Sequence, residues 1–320
     1  MLFAPSPWLR GPHLMTVGGR LAPAPWDLPV RRERWELPDG DFLDVDRLEA
    51  PEAAAGIVVL HGLEGSSRAG YVRLALAAAH ACGLAAWALN FRGCSGEPNR
   101  LPRLYHSGET GDLAHAIDRL VAERPERPLG LLGFSLGGNV TAKYLWPSKG
   151  RAPPRRSGRR WSSRRRSTTA RCAAALDGPG VWALIYRRHF LRSLKAKARA
   201  KAARFPEALD ARRIARARTF RDFDGWVTAP LHGFADAEDY WARSSSGPLL
   251  DAIRRPLLVL QAEDDPFVPF ASLPQRRRGP HLSWEVSAKG GHLGFVEGPP
   301  WRLGRWAERR AIEFLVERLR

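Results

Sequence analysis

The chain has 320 residues, a length that could make two domains but that an α/β sheet with an inserted cap absorbs as one unit. Hydrophobic residues make up 44% of it, with 12 Trp and 13 Phe, which excludes a disordered chain and offers enough apolar surface to offset chain entropy. The net charge of +18 would point to nucleic acid or an anionic surface, but ten of the lysines and arginines, with no acid among them, fall between Pro147 and Cys172.

Met1–Trp8 is short and proline-interrupted and lacks a basic stretch followed by an apolar one, so it does not read as a signal peptide. No apolar run reaches the roughly 18 residues of a membrane-spanning helix. Cys82, Cys94 and Cys172 have neither the number nor the spacing of a disulfide framework or a metal site. They read as reduced thiols, and a cytoplasmic location is expected.

Trp35 to Leu48 sets two short extended runs around the turn signal Pro38-Asp39-Gly40, which predicts an antiparallel hairpin at a sheet edge. Gly56 to Leu60 is a continuous β-branched run ending at His61-Gly62, the pattern of a strand buried on both faces. An alanine-rich helix follows from Tyr71 to Ala81, then a strand from Leu84 to Phe91 ending in the glycine-rich loop Arg92 to Gly96. Leu113, Ile117, Leu120 and Val121 mark one face of a helix over Asp112 to Glu123, and Leu129 to Phe134 is a third core strand, with a helix from Leu136 to about Leu145. Strands alternating with helices predict right-handed βαβ units and a parallel sheet. Residues 181 to 247 are helical, basic and aromatic-rich without a strand, and are expected to cap the sheet's carboxyl edge. Strands at Pro256 to Leu260 and Leu282 to Val286 and a helix from Trp306 to Leu319 complete the chain. The expected fold class is α/β, a mostly parallel central sheet with helices on both faces and an inserted helical cap. Its parts are a core over 1–146 and 251–320, an anomalous segment over 147–172 and a cap over 173–250.

Gly133-Phe134-Ser135-Leu136-Gly137 places G-x-S-x-G between a buried strand and a helix, the context of a nucleophile elbow. The turn forces Ser135 into strained backbone angles, and side chains at 133 or 137 would collide with the neighbouring strand and helix. A serine hydroxyl needs a base to take its proton, and His292 in Gly290-Gly291-His292 follows the last strand. Asp264 and Asp265 both follow the strand Leu257 to Leu260; Asp265 is preferred as the carboxylate that orients the imidazole because Asp265-Pro266 begins the turn. An oxyanion hole needs two backbone N–H donors, and Leu136 at a helix N-terminus and Leu63 after the first core strand are expected to supply them. His61 and His106 lie on loops near the same place; His61 is expected to brace its loop rather than do chemistry.

With these residues in place, the whole chain resembles the YheT-like branch of the α/β-hydrolases, relatives of the ABHD lipases and esterases. The resemblance is carried by WLRGPHL from Trp8, HGLEGSS from His61, NFRGCSGEPN from Asn90, YHSGET from Tyr105 and GFSLGGN from Gly133. It continues in FRDFDGWVTAPLHGFADAEDYW from Phe220, DDPF from Asp264 and GGHLGFVEG from Gly290. The order Ser, Asp, His along the chain is that of α/β-hydrolases. The resemblance implies Ser135, Asp265 and His292 as a triad, a mechanism without cofactor or metal, and esterase or acylglycerol-lipase activity on hydrophobic acyl esters.

The chain departs from that family after the nucleophile helix, where an apolar strand is expected and Arg155 to Arg166 reads RRSGRRWSSRRR. Burying even one unpaired guanidinium costs several kcal/mol, so this cannot be a central strand. Composition alone would make it disordered or a nucleic-acid tail. The genetic code offers a third reading. With the codons CGC CGG TGG TCG TCT CGG CGC CGT TCG ACG, Arg159 to Thr168 reads RRWSSRRRST; begun two bases later the same string reads PVVVSAPFD, an apolar strand and loop. Trp161, with its single codon, still fits. Residues from about 147 to 172 are therefore expected to be out of frame between two compensating indels, and to make an irregular excursion without a place in the sheet.

Two rival functions carry over from the sequence: a thioesterase or amidase on the same triad, and an inactive hydrolase scaffold binding anionic partners through the arginine tract. The tract lacks interleaved aromatics apart from Trp161, and phosphate attraction alone reads no sequence, so no nucleic acid is expected. Peripheral contact of the basic cap with an anionic lipid surface is a further expectation.

Overall fold

The computed structural model describes residues 2–50, 52–146, 167–274 and 280–319. A five-stranded sheet is built from β1 (Val30–Glu36), β2 (Phe42–Leu48), β3 (Gly56–Leu60), β4 (Ala85–Leu89) and β5 (Leu129–Gly133), in the order β1-β2-β4-β3-β5. β1 and β2 form the expected hairpin, with Gly40 at φ 81° in the turn and its N–H donating to the Leu37 carbonyl at 3.0 Å. β2 runs antiparallel to β4, whereas β3 lies parallel between β4 and β5 and is paired with Gly133 through Leu60. β3 alternates its side chains between two cores. Val58 and Leu60 pack with Trp87, Leu113, Leu120 and Val140 under α3 (Gly111–Glu123) and α4 (Leu136–Tyr144). Ile57 and Val59 pack with Val72, Leu76 and Ile312 under α2 (Gly70–Ala81) and α11 (Trp306–Leu319). Burial on both faces is what the unbroken β-branched run requires.

β6 (Leu257–Ala262) and β7 (Leu282–Ser287) pair in parallel but form a sheet of their own. The α/β architecture, a central sheet with helices on both faces, is as expected; among the described residues no strand joins β5 to β6. Chain between α4 and Ser167 runs through residues 147–166, so the arginine tract lies outside the described residues. Both strand edges turned toward this break, with Leu129, Leu131, Leu258 and Leu260, line one apolar cavity of about 1620 Å³. That volume exceeds the roughly 300–1,000 Å³ of ordinary ligand pockets, because the site cleft and the space between the two sheets are continuous.

The cap region is helical: α5 (Thr168–Asp177), α6 (Val181–Arg204), α7 (Ala211–Arg216), α8 (Phe220–Phe223), a π-helical turn (Asp224–Thr228), α9 (Ala229–Leu231) and α10 (Ala237–Ser244). α5 begins inside the segment expected to be anomalous, and Ser167 caps it by accepting from the Ala170 N–H at 3.1 Å. Leu191, Leu194, Ile214, Phe220, Phe223 and Trp241 make a separate apolar core in these helices. The remaining helix, α1 (Pro12–Leu21), lies against the carboxyl-terminal loops. No helix among the described residues is long and apolar enough to cross a membrane.

Candidate active site

Ser135 stands between β5 and α4 at φ 53° and ψ −114°, a conformation an L-residue holds only when its surroundings enforce it. The flanking glycines show why the motif is needed. A Cβ at Gly133 would lie 2.3 Å from the Gly137 carbonyl oxygen, and one at Gly137 would lie 2.5 Å from that of Leu60. Close packing of strand, turn and helix drives the hydroxyl out at the carboxyl end of the sheet.

His292 Nε2 lies 2.8 Å from Ser135 Oγ, and His292 Nδ1 lies 2.9 Å from Asp265 Oδ2 and 3.1 Å from Oδ1. The imidazole is 8% exposed, so its hydrogen bonds are little diluted by water. Asp265 also accepts from the Phe267 and Val268 N–H groups at 2.8 and 2.9 Å and from Gln261 Nε2 at 3.2 Å. A carboxylate held by donors on every side keeps the proton on His292 Nδ1, which leaves Nε2 as an acceptor for the serine hydroxyl. Asp264, the alternative, faces elsewhere: its Oδ1 accepts from the Gly291 N–H at 2.8 Å and shapes the loop carrying His292.

The expected oxyanion donors lie on the loops beside Ser135. A Cβ at Gly62 would come within 3.2 Å of the Ser135 Cβ, and the Gly62 N–H donates to Tyr71 Oη at 3.0 Å. Neither the Leu63 nor the Leu136 N–H meets a protein acceptor among the described residues. Leu63 and Leu136 line the same cavity as Ser135 and His292, whose wall also includes the apolar side chains of Leu176, Ile185, Phe190, Phe223 and Phe267.

His61 is 1% exposed; its Nε2 accepts from the Phe91 N–H at 3.2 Å, so its Nδ1–H donates to the Gly62 carbonyl at 2.7 Å. Burial lowers its pKa from 6.5 to about 4, so it is neutral and braces the loop. Its proton is taken up more readily by the unfolded chain between pH 6.5 and about 4, so its stabilising contribution is present above this window and lost as pH falls through it. The urea midpoint is therefore expected to drop on acidification over that range, and His61→Gln to flatten the slope; an unchanged slope would refute the buried neutral state. His106, the other loop histidine, accepts from the Gly108 N–H at 3.1 Å and lies 3.5 Å from Glu109.

Three contacts to this site had no readable signal. Thr16 Oγ1 on α1 accepts from the His292 N–H at 2.8 Å, and Asn139 joins the loop at Ser107 and the end of the cap at Ser244, donating at 2.7 Å to each carbonyl. The third is Glu64, beside Leu63, which meets Lys197 of α6 at 2.9 Å. Among the described residues no group of three or more His, Cys, Asp or Glu is arranged to hold a metal ion.

Residues 57–301 match the family model described as "Alpha/beta hydrolase family". The chain is 35% identical to "Putative esterase YheT" of Escherichia coli over 98% of its own length and 93% of that protein. It is 28% identical to "Monoacylglycerol lipase" of Saccharomyces cerevisiae over 85% of this chain and 61% of that one. The solved esterase Pf2001 of Pyrococcus furiosus superposes over 92% of this chain and 95% of its own with a TM-score of 0.56 at 15% identity, a likeness of fold. The chain therefore belongs to the α/β-hydrolase family, in the branch of YheT.

Proposed function

We propose that this hydrolase cleaves carboxylic esters through an acyl-enzyme on Ser135. The reading rests above all on Ser135 Oγ lying 2.8 Å from an imidazole nitrogen whose ring partner is held by Asp265. Ser135 Oγ attacks the ester carbonyl carbon as its proton passes to His292 Nε2, and Asp265 stabilises the imidazolium that forms. Negative charge on the carbonyl oxygen falls to the Leu63 and Leu136 N–H groups. His292 returns the proton to the departing alkoxide as the C–O bond breaks. Water, deprotonated by the same nitrogen, then displaces the acid from Ser135. The apolar walls around Phe190, Phe223 and Phe267 suit a hydrophobic acyl chain, and esters and lipids are what the names of its relatives imply.

A fluorophosphonate probe is expected to label the wild-type chain and leave Ser135→Ala unlabelled. Turnover of matched p-nitrophenyl ester, thioester and anilide series is expected to fall in that order. Equal labelling of the two proteins would remove Ser135 from the mechanism, and faster thioester turnover would reassign the substrate class.

A further inference from the structure

An ion pair between a buried carboxylate and a half-buried lysine joins the cap to the loop that carries the Leu63 N–H. Glu64, the next residue, sits at φ 54°, and its side chain is 3% exposed. Its N–H donates to Tyr105 Oη at 2.8 Å, and the Tyr105 hydroxyl donates back to Glu64 Oε1 at 2.8 Å. Lys197 Nζ donates to the same Oε1 at 2.9 Å, and Ser193 Oγ donates to Oε2. Ser193 and Lys197 are four residues apart on α6 and so share one face of that helix. Lys197 Nζ also lies 3.1 Å from Cys94 Sγ, on the loop after β4. Burial opposes the ammonium charge, but Cys94 and Glu64 outweigh it and hold Lys197 above the usual lysine range. None of these groups touches Ser135 or His292.

Resting on the ester-hydrolase reading above, we propose that Glu64 and Lys197 are positioning residues: their ion pair holds the Leu63 N–H where the oxyanion forms and makes that geometry depend on the seating of α6. Two physical arguments carry this. A left-handed glutamate persists only where its surroundings over-determine it, and here Tyr105 grips both its backbone and its side chain while α6 grips the carboxylate. A buried carboxylate stripped of its cation is also strongly disfavoured, and this one would sit one residue from a donor serving a second negative charge. Removing Lys197 therefore has two effects on the reaction. It frees the loop to shift, and it leaves a negative charge beside the developing oxyanion.

The test uses four full-length variants, Lys197→Met, Lys197→Arg, Glu64→Gln and the double Glu64→Gln/Lys197→Met. Each is assayed for kcat and KM on p-nitrophenyl butyrate, for its rate of fluorophosphonate labelling and for its Tm. Lys197→Met is expected to lose about 10- to 100-fold in kcat, less than the roughly 100- to 1,000-fold for a donor removed outright because the Leu63 N–H is displaced and not lost, with KM within about threefold. Lys197→Arg keeps the charge and is expected to stay within about threefold of wild type. The double variant removes both charges while keeping the Tyr105 and Ser193 partners, and is expected to recover at least about fivefold over Lys197→Met. Recovery by a second mutation distinguishes charge compensation from mere loss of packing. An unchanged kcat in Lys197→Met, a loss confined to KM, or a double variant no better than the single would overturn the proposal. Should Lys197→Met not fold, Glu64→Gln decides: kcat down at least about threefold at constant KM supports it, and wild-type kcat overturns it. Wild type that resists the probe overturns the ester-hydrolase reading itself; wild type labelled on Ser135 with Lys197→Met labelled equally fast overturns only this proposal.

Discussion

Asp265→Asn is expected to lower kcat/KM about 10⁴-fold, whereas Asp264→Asn is expected to lower it less than about tenfold. The two carboxylates are adjacent in sequence and differ in what they hold. At 265 an asparagine would turn its carbonyl toward the Phe267 and Val268 N–H groups, which lie 2.8 and 2.9 Å from the present carboxylate. Its NH₂ group would then face His292 Nδ1, which must become an acceptor, so the ring proton moves to Nε2. With Nε2 protonated, Ser135 has no base, although fold and cavity stay intact. At 264 an asparagine carbonyl still accepts from the Gly291 N–H, so the loop carrying His292 keeps its shape. Steady-state kinetics on a p-nitrophenyl ester, with circular dichroism to confirm folding, separates the two. If Asp264→Asn proves the crippling change, the carboxylate roles are reversed.

The parts of this site that were legible in the sequence are those set by local chemistry. The glycine at 133 is demanded by the Gly137 carbonyl within the same motif, the one at 137 by the end of the neighbouring strand at Leu60, and the β-branched run of β3 announces burial on both faces. Asp265 could be favoured over Asp264 from the turn at Pro266, since the N–H groups it holds are two and three residues away. The illegible parts are contacts between distant segments. Thr16 and His292 are 276 residues apart, Glu64 and Lys197 133 apart, and each is a single polar side chain in a stretch whose periodicity carries no hint of its partner. Lys197 is a telling case: within the run from Arg192 to Lys201 it reads as one more solvated charge, yet it is tied to Glu64 and Cys94. Helical period gives the face a residue occupies; only the packing of α6 onto the β3 loop shows that this face is an interface. The separation of β5 from β6 among the described residues was half legible, since the arginine tract stands where an apolar strand was expected but gave no measure of the space between them.

Replacing the arginine tract by its out-of-frame reading is expected to stabilise the chain. The proposed replacement exchanges RRWSSRRRST, residues 159–168, for PVVVSAPFD, the reading two bases along. Among the described residues β5 is hydrogen-bonded to β3 alone and β6 to β7 alone, and the edge of each that faces the other borders the cavity between them. Leu129, Leu131, Leu258 and Leu260 line that space, and a strand of valines between them would bury its side chains on both faces. Each valine so buried is worth about 1.5 kcal/mol or more, and the strand's N–H and C=O groups would satisfy two edges at once. The new segment ends in aspartate, which caps α5 as well as Ser167 does now. A rise in Tm is expected, with slower proteolysis and less binding of a hydrophobic dye. A control replacement, PSSSSAPFD, has the same length and cap but serine in place of the three valines, and is expected to gain nothing. If the valine segment is no more stable than this control, the space between β5 and β6 is not a strand site. Resequencing then bears on the origin of the tract: a gene reading PVVVSAPFD in frame would make the arginines an artefact of the reading frame, and a gene encoding the arginines would mean that the chain itself carries the tract.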